Sequence, residues 1–384
     1  MSKIFMKKYL ASTAILCLFG SYFIYTTDTP FTATAQASPH GANTTTAFVP
    51  NHAVILLYHH VALETPTITS ISPDNFAKQL EYLAQNNFQV WPLEKIIKHL
   101  QSKEAMPDKV VGISFDDGYE SIYDHAFPLL KKYQYPFTIF VSTDAVDQQF
   151  KYQASWQQLR TMASNGATIA NHSATHQHML VKDENISDKQ WLQQIQQDIE
   201  HAEQRIKEEI GYSKKLFAYP YGEYNQQLIK LIKRLGYTAF GQHSGPVGEH
   251  LGFATIPRYP FAGEYSDLDD FALKLMTIPL PIKKVVSDDN PLAISNSKPG
   301  LTLSFHPEFN QQASLQCFGS LQGKINVEWL DKQLVKITPK NDIPTGRSRY
   351  NCTAKFNSGD NENRYYWYSK PWVKWGEDNS WLAE

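Results

Sequence analysis

Two hydrophobic rhythms alternate from about residue 52 to residue 262. Short apolar runs, VILLY at 54–58, VVGISF at 110–115, FTIFV at 137–141, ATIA at 167–170, LFAYP at 216–220 and YTAF at 237–240, read as buried strands. Between them, apolar residues recur three and four apart, the period of a helix with one buried face. One such helix opens at Ser72 and Pro73 and carries Phe76, Leu80 and Leu83 on a shared face; others are expected over 120–133, 187–210 and 225–235. Strand then helix, repeated, implies a parallel sheet. The expected architecture is α/β, a barrel whose chemistry gathers at the carboxyl ends of its strands.

The rhythm changes after Leu280. Residues 281–300 are polar and proline-containing and read as a linker, and 301–384 as a smaller β-rich accessory domain built from pieces such as LTLSF, INVEWL and LVKITP. The aromatics Tyr365, Tyr366, Trp367, Tyr368, Trp372 and Trp375 crowd its end. They fit either a platform that stacks on sugar rings or the core of a small sandwich.

At the other end, Lys3, Lys7 and Lys8 precede the apolar stretch 9–25, and Ala35 and Ala37 have the small-x-small spacing of a signal peptidase site. Residues 1–37 therefore read as a signal peptide or an uncleaved anchor, 38–51 as a tether, and 52–280 as the main domain. The expected location is exported: periplasmic, extracellular or membrane-anchored, with any membrane contact made through the N-terminal segment. Removing that segment, which holds Cys17, leaves Cys317 and Cys352 as a pair in an oxidising compartment, where a disulfide is the default. With 36 basic and 38 acidic residues among 384, the chain has no polycationic footprint, so nucleic acid is not an expected partner.

Three short constellations lie at or just after strand ends. Ser114-Phe-Asp-Asp117 places two carboxylates side by side. His172 and His176 are four apart, as on one helical turn. Tyr219-Pro-Tyr-Gly222 is a rigid turn able to aim a backbone N–H at a developing oxyanion. Two imidazoles and a carboxylate suit Zn²⁺ or another borderline divalent ion with open positions. The second carboxylate can then take a proton from water that such an ion acidifies. Taken singly, DDG is usually a turn signal, HxxxH is more often not a ligand pair, and YPYG is simply a turn.

Together and in this order, SFDD, HSATH and YPYG resemble the polysaccharide deacetylases of carbohydrate esterase family 4, the NodB-homology domain, over about residues 52 to 262. The resemblance implies a distorted (β/α) barrel that uses a divalent metal to hydrolyse acetamide groups on an N-acetylglucosamine-containing polysaccharide. It also implies roles: Asp116 as catalytic base, Asp117, His172 and His176 as metal ligands, and Tyr221 as donor of an oxyanion-stabilising amide. Several features depart from the common pattern. Phe217-Ala218-Tyr219 stands where many members carry an arginine, and no DxxDW block is present, so Arg258 in IPRYP is the candidate for orienting Asp116. The late Leu-x-His motif is absent from the barrel's end. Instead, Leu57-Tyr-His-His-Val61 looks like the permuted arrangement of bacterial poly-β-1,6-N-acetylglucosamine deacetylases, which makes His59 the candidate general acid ahead of His60 and His306. The alternatives are a non-catalytic glycan-binding or assembly protein on a retained barrel, and an O-deacetylase.

Overall fold

The computed structural model describes residues 50–249, 252–356 and 364–376. The expected signal or anchor, and nearly all of the tether, lie outside the described residues. Six parallel strands form the barrel sheet: β1 (His52–Tyr58), β2 (Val110–Phe115), β3 (Phe137–Val141), β4 (Ala167–Asn171), β5 (Leu216–Ala218) and β6 (Thr238–Phe240), hydrogen-bonded in that order. The β1 to β4 residues are all buried, as expected for strands covered on both faces. The gap between β6 and β1 is spanned by a short segment. Ile256 bridges Phe240, and Tyr259 and Pro260 pair with Leu56 and Leu57 of β1. Arg258 sits in this closing segment, between the two edges it joins.

The helices begin where the local chemistry allows. Ser72 caps Pro73–Gln85 through the Asn75 N–H, with Pro73 in the first turn. Ser187 and Gln190 form a capping box on Asp188–Ile210, which ends at Gly211 in the left-handed conformation. The helix expected over 120–133 differs: Ile122–Ala126 is a π stretch, and the α-helix is Phe127–Tyr133. Pro128 has no N–H to offer the Asp124 carbonyl four residues back, so the turn before it widens. Helices Leu93–Ser102, Trp156–Ala163 and Leu268–Leu275 carry no signal that the hydrophobic reading used.

Beyond the barrel, a five-stranded and a four-stranded sheet enclose a second core with Leu303, Val335, Tyr350 and Trp372. The stretch 281–300, read as a linker, carries the strand Ile282–Ser287, which pairs antiparallel with Leu301–Phe305. Its central residues are exposed, so the alternation that marks a half-buried strand is missing there. The two 11-residue strands Gly346–Phe356 and Arg364–Lys374 pair along their whole length. Trp367 on the second packs edge-on against Tyr259 at 5.6 Å, and Val373 joins a barrel cluster. The C-terminal sheet is therefore seated on the barrel. Of the terminal aromatics, Trp372 is fully buried and the others are half-buried.

Cys317 and Cys352 face each other across adjacent antiparallel strands and form a disulfide in the second core. It closes a loop 35 residues apart in sequence. Reduction, or replacing both cysteines with serine, is expected to cost about 2–5 kcal/mol. Urea unfolding measures the loss, and two titratable thiols in unreduced, denatured mature protein, freed of the segment that holds Cys17, would contradict the bond.

Candidate metal centre and active-site cleft

The site assembles at the carboxyl edge of the barrel. β1 and β2 run in register, Leu57 beside Ser114 and Tyr58 beside Phe115, and the Tyr58 carbonyl accepts the Asp116 N–H at 2.9 Å. The next residue of each strand, His59 and Asp116, therefore emerges at the same edge.

Adjacent strand residues point to opposite faces, yet both carboxylates reach one place. Asp117 has φ +70°, and the Gly118 N–H bonds the Asp116 carbonyl at 2.9 Å, closing a tight γ-turn. The reversal swings Asp117 back toward the mouth. Its Oδ1 lies 3.3 Å from His172 Nε2 and 3.1 Å from His176 Nε2, while Asp116 Oδ2 is 4.0 Å from His172 Nε2. Gly118 continues the turn at φ +76°, and a Cβ there would meet Val141 at 2.9 Å.

The histidine pair does not lie on a helical turn. Ser173 (φ 65°) and His176 (φ 54°) are left-handed, and the loop is held by side chains: Asn171 Oδ1 accepts from the Ser173 N–H at 2.8 Å, and Ser173 Oγ from the His176 N–H at 3.0 Å. Asparagine and serine compete with the helix for backbone N–H groups, and here they prevail. His172 is fully buried. Its Nδ1 lies 2.8 Å from the Ala218 carbonyl, which only accepts, so Nδ1 carries the proton and Nε2 presents its lone pair.

Asp117 Oδ1 and His172 Nε2 are buried without a hydrogen-bond partner among the described residues. Their 3.3 Å approach is close enough for an ion pair but lacks hydrogen-bond geometry. Orphaned buried polar atoms are costly. The ligand atoms of Asp117, His172 and His176 all lie within 4.8 Å of one another, the sole such cluster of three or more among the described residues. Ligands on one ion at about 2.0–2.1 Å stand roughly 3 Å apart, so the set fits a divalent cation. Burial pushes the Asp117 carboxyl up, but the close approach of the His172 and His176 imidazoles outweighs it and holds the group well below the usual carboxylate range.

Behind the cluster, Asp116 and Arg258 are both fully buried and locked in a two-pronged pair, Nη1 to Oδ1 and Nη2 to Oδ2 at 2.7 Å each. Arg258 also donates from Nε to the Gly241 carbonyl at 2.9 Å and from Nη1 to Ser114 Oγ at 3.3 Å. Burial raises the Asp116 pKa, yet the charge of Arg258 and its hydrogen bonds bring it below the ordinary value. Asp116 stays ionised at neutral pH. Half-buried His59 lies in the field of Asp117, Asp116, Arg258 and His172; burial dominates and lowers its pKa. His60 turns away, stacks on Tyr119 at 3.6 Å and lines a different cavity. His306 follows Leu301–Phe305 in the C-terminal sheets, with its N–H on the Pro281 carbonyl.

The Tyr219-Pro-Tyr-Gly turn is a 3₁₀ segment with Tyr221 left-handed at φ 58°. Gly222 (φ 69°) lies so close to Gln242 that a Cβ would sit 2.7 Å from its backbone nitrogen. Only glycine satisfies both demands. The Tyr221 ring stacks on His178 at 3.6 Å, and His178 Nδ1 bonds Glu223 Oε2 at 3.0 Å. Arg347 of the C-terminal sheet places its guanidinium 5.4 Å from the same ring. A cleft of about 530 Å³, lined by Asp117, Tyr119, Lys151, Gln153, His176 and Tyr221 among others, opens over the cluster. The hydrophobic and motif reading passed over Tyr119, Gln153, His178, Gln242 and Arg347. No short motif marks them, because each is recruited by a contact rather than by its neighbours in sequence.

Fold and site together define a class: a distorted (β/α) barrel with a candidate divalent-metal centre at the carboxyl ends of its strands. Residues 103–240 match the polysaccharide deacetylase family. A poly-β-1,6-N-acetyl-D-glucosamine N-deacetylase of Staphylococcus epidermidis is 30% identical over 207 residues, covering 48% of this chain and 70% of that protein. The chain belongs to the polysaccharide deacetylase family. The protein of the same name from Escherichia coli K12 is 25% identical over 264 residues, 59% of this chain; the chain spans only 39% of that relative's length. Among solved structures, the Streptococcus pyogenes deacetylase PplD in complex with acetate superposes with a TM-score of 0.54 at 21% identity, covering 59% of this chain and 99% of that one. IcaB from Ammonifex degensii gives 0.52 at 24% identity, covering 59% and 98%. These two likenesses establish the shared barrel.

Proposed function

We propose that the protein is an exported, metal-dependent N-deacetylase that hydrolyses acetamide groups on an N-acetylglucosamine-containing polysaccharide, releasing acetate and leaving a free amine. The observation that carries the reading is the juxtaposition of two unlike carboxylates. Asp117 Oδ1 faces the Nε2 atoms of two imidazoles, that of His172 buried without a hydrogen-bond partner, while its neighbour Asp116 is held ionised by a buried arginine. A glycan-binding module has no use for a base beside a metal site. Asp117, His172 and His176 would hold the cation, with Zn²⁺ favoured by the nitrogen-rich donor set. When bound, the ion supplies Lewis-acid chemistry to the acetyl carbonyl and to water.

The remaining steps fall to the chain. Asp116 accepts the proton of the attacking water. Arg258 is a positioning residue, fixing the carboxylate's orientation through both oxygens. The Tyr221 amide, in its strained turn, donates to the oxyanion as the carbonyl becomes tetrahedral. His59, at the edge it shares with Asp116, protonates the leaving amine. Export is supported by the disulfide, which persists in oxidising compartments.

Acetate release from poly-β-1,6-N-acetylglucosamine and from chitooligosaccharides, with chelation and metal add-back, tests the reading. Absence of release from either polymer in metal-loaded protein would end it. A second expectation concerns pH. An acid must be protonated to act, so activity falls as pH rises through its pKa. Burial lowers that of His59, so the alkaline limb of kcat/KM should begin below the ordinary histidine value of 6.5. His59→Ala should lower kcat and erase that limb while metal content stays intact. A limb unchanged in His59→Ala but lost in His306→Ala would reassign the acid.

A further inference from the structure

Where the C-terminal sheet meets the barrel beside the cleft, the seam buries a charge that the deacetylation chemistry does not use. Glu223, the residue after the Tyr219-Pro-Tyr-Gly turn, is 2% exposed. Its Oε2 is engaged by His178 Nδ1 at 3.0 Å, whereas its Oε1 is buried with no hydrogen-bond partner among the described residues. A buried carboxylate oxygen in that state is costly and calls for a donor. Glu223 lines a cavity of about 310 Å³ together with Tyr221, Gln242, His243, Arg347 and Arg349. Tyr221 also lines the cleft, so the two spaces adjoin.

The hairpin register decides which side chains the sheet turns toward this cavity. Arg347 pairs with Val373 and Arg349 with Pro371, on the alternation shared with Trp367, the face that packs on the barrel. Ser348 pairs with Trp372, and Tyr350 with Lys370; these stand on the opposite face, where Trp372 and Tyr350 belong to the second core. The Arg347 guanidinium lies 5.4 Å from the centre of the Tyr221 ring. Burial, then the charges of Lys370, Arg258 and Arg349, pushes the His243 pKa down to about 3, so the histidine of this wall is neutral and stands within the field of Arg349. Among the described residues neither Arg347 nor Arg349 forms an ion pair, with Glu223 or with any other acid. The cavity therefore holds one carboxylate and two guanidiniums that do not touch it. Both arginines lie beyond residues 103–240, so this wall is no part of the family match.

We propose that this cavity is a subsite for an uncharged sugar unit, the neighbour of the one whose acetamide enters the cleft: a hydroxyl or amide N–H of that unit donates to Glu223 Oε1, and its oxygens accept from Arg347 and Arg349. The inference rests on the deacetylase reading of the cleft and specifies which stretches of polymer it takes. Opposite charges held apart across a cavity are bridged by a group that donates on one side and accepts on the other, and sugar hydroxyls and acetamides do both. The volume is near the lower end of the range for small-molecule sites, about 300–1,000 Å³, the scale of one unit rather than of an oligomer. A charged unit of either sign fits less well. A carboxylate that reaches the arginines meets Glu223, and an ammonium that reaches Glu223 meets two guanidiniums. The free amine is the product of the reaction, so the subsite directs the enzyme to units whose neighbours are still acetylated and spaces the amines along the chain.

The test uses the full chain in an Asp116→Asn background, so that no probe is consumed, and measures calorimetric affinities for N-acetylglucosamine, its β-1,6-linked dimer, and the two dimers that carry one free amine, at a pH where the amine is charged. The fully acetylated dimer is expected to bind about tenfold or more tightly than the monomer, and each amine-bearing dimer about as weakly as the monomer. Replacing both arginines, Arg347→Gln with Arg349→Gln, should remove the gain of the acetylated dimer. With Glu223 left as the lone charge, the same variant should bind an amine-bearing dimer more tightly than the acetylated one, most clearly at low salt, a reversal that a merely structural role of the arginines does not produce. Arg349→Lys should retain most of the original gain. Equal affinities for monomer and acetylated dimer, or for acetylated and amine-bearing dimers, in the unsubstituted seam would overturn the subsite, and these comparisons need no seam variant to fold. So would a dimer gain that survives the double substitution. Acetate release by wild-type protein is scored separately: no release from monomer or dimer, with the dimer gain intact, rejects the deacetylase reading and leaves the sugar subsite standing.

Discussion

His172→Ala is expected to abolish both metal content and acetate release. The imidazole is fully buried, and its position is set by the Nδ1 bond to the Ala218 carbonyl, so no neighbouring group can swing into its place. Its loss leaves Asp117 and His176, two protein ligands where catalytic zinc sites use three. It also leaves the Ala218 carbonyl without its imidazole donor, so some destabilisation accompanies the change. The two effects separate in a melting experiment. In the wild type, zinc in hundredfold excess over Kd should stabilise the fold by about 2.7 kcal/mol; the variant should melt at the same temperature with and without zinc. A stoichiometric metal in His172→Ala, by elemental analysis, would remove this histidine from the ligand set.

Asp116→Asn should keep the metal and lose about 10²- to 10⁴-fold in turnover, because a carboxamide keeps the shape but takes no proton. Its partner gives an independent check. Arg258→Met leaves a fully buried carboxylate without its counter-ion, a kind of change that costs about 3–5 kcal/mol. The sign of the pH effect follows from the lowered Asp116 pKa. In the wild type the stabilising ionised form is present above the ordinary aspartate value, and its contribution is lost as pH falls through the lower, folded value. Without Arg258 the burial effect loses its chief opposition, so the acid limb of kcat/KM moves toward neutrality. An acid limb at the same pH in wild type and Arg258→Met would mean that another group sets it. Near wild-type turnover in Asp116→Asn would exclude the carboxylate as base.

Much of this protein is local and therefore legible. The barrel strands appear as apolar runs because both of their faces are buried, and the helices Pro73–Gln85 and Asp188–Ile210 announce themselves through serine caps that satisfy the first-turn N–H groups. The candidate metal cluster is legible too, since Asp117, His172 and His176 lie at strand ends that a parallel sheet must bring to one edge. The even pair of cysteines pointed to the disulfide before any geometry was known. What sequence could not supply was the effect of distant partners on local conformation. The spacing of His172 and His176 suggests a helical turn, but Asn171 and Ser173 claim the N–H groups and bend the segment into a loop. Neighbouring Asp116 and Asp117 should diverge, and a left-handed turn at Asp117 turns them to one site. Arg258 was a candidate for lack of another arginine in the expected place; its pairing with a carboxylate 142 residues away exists because the barrel closes through its segment. Periodicity records which side of an element is buried, but the groups that meet across that burial are chosen by chain closure and sheet packing.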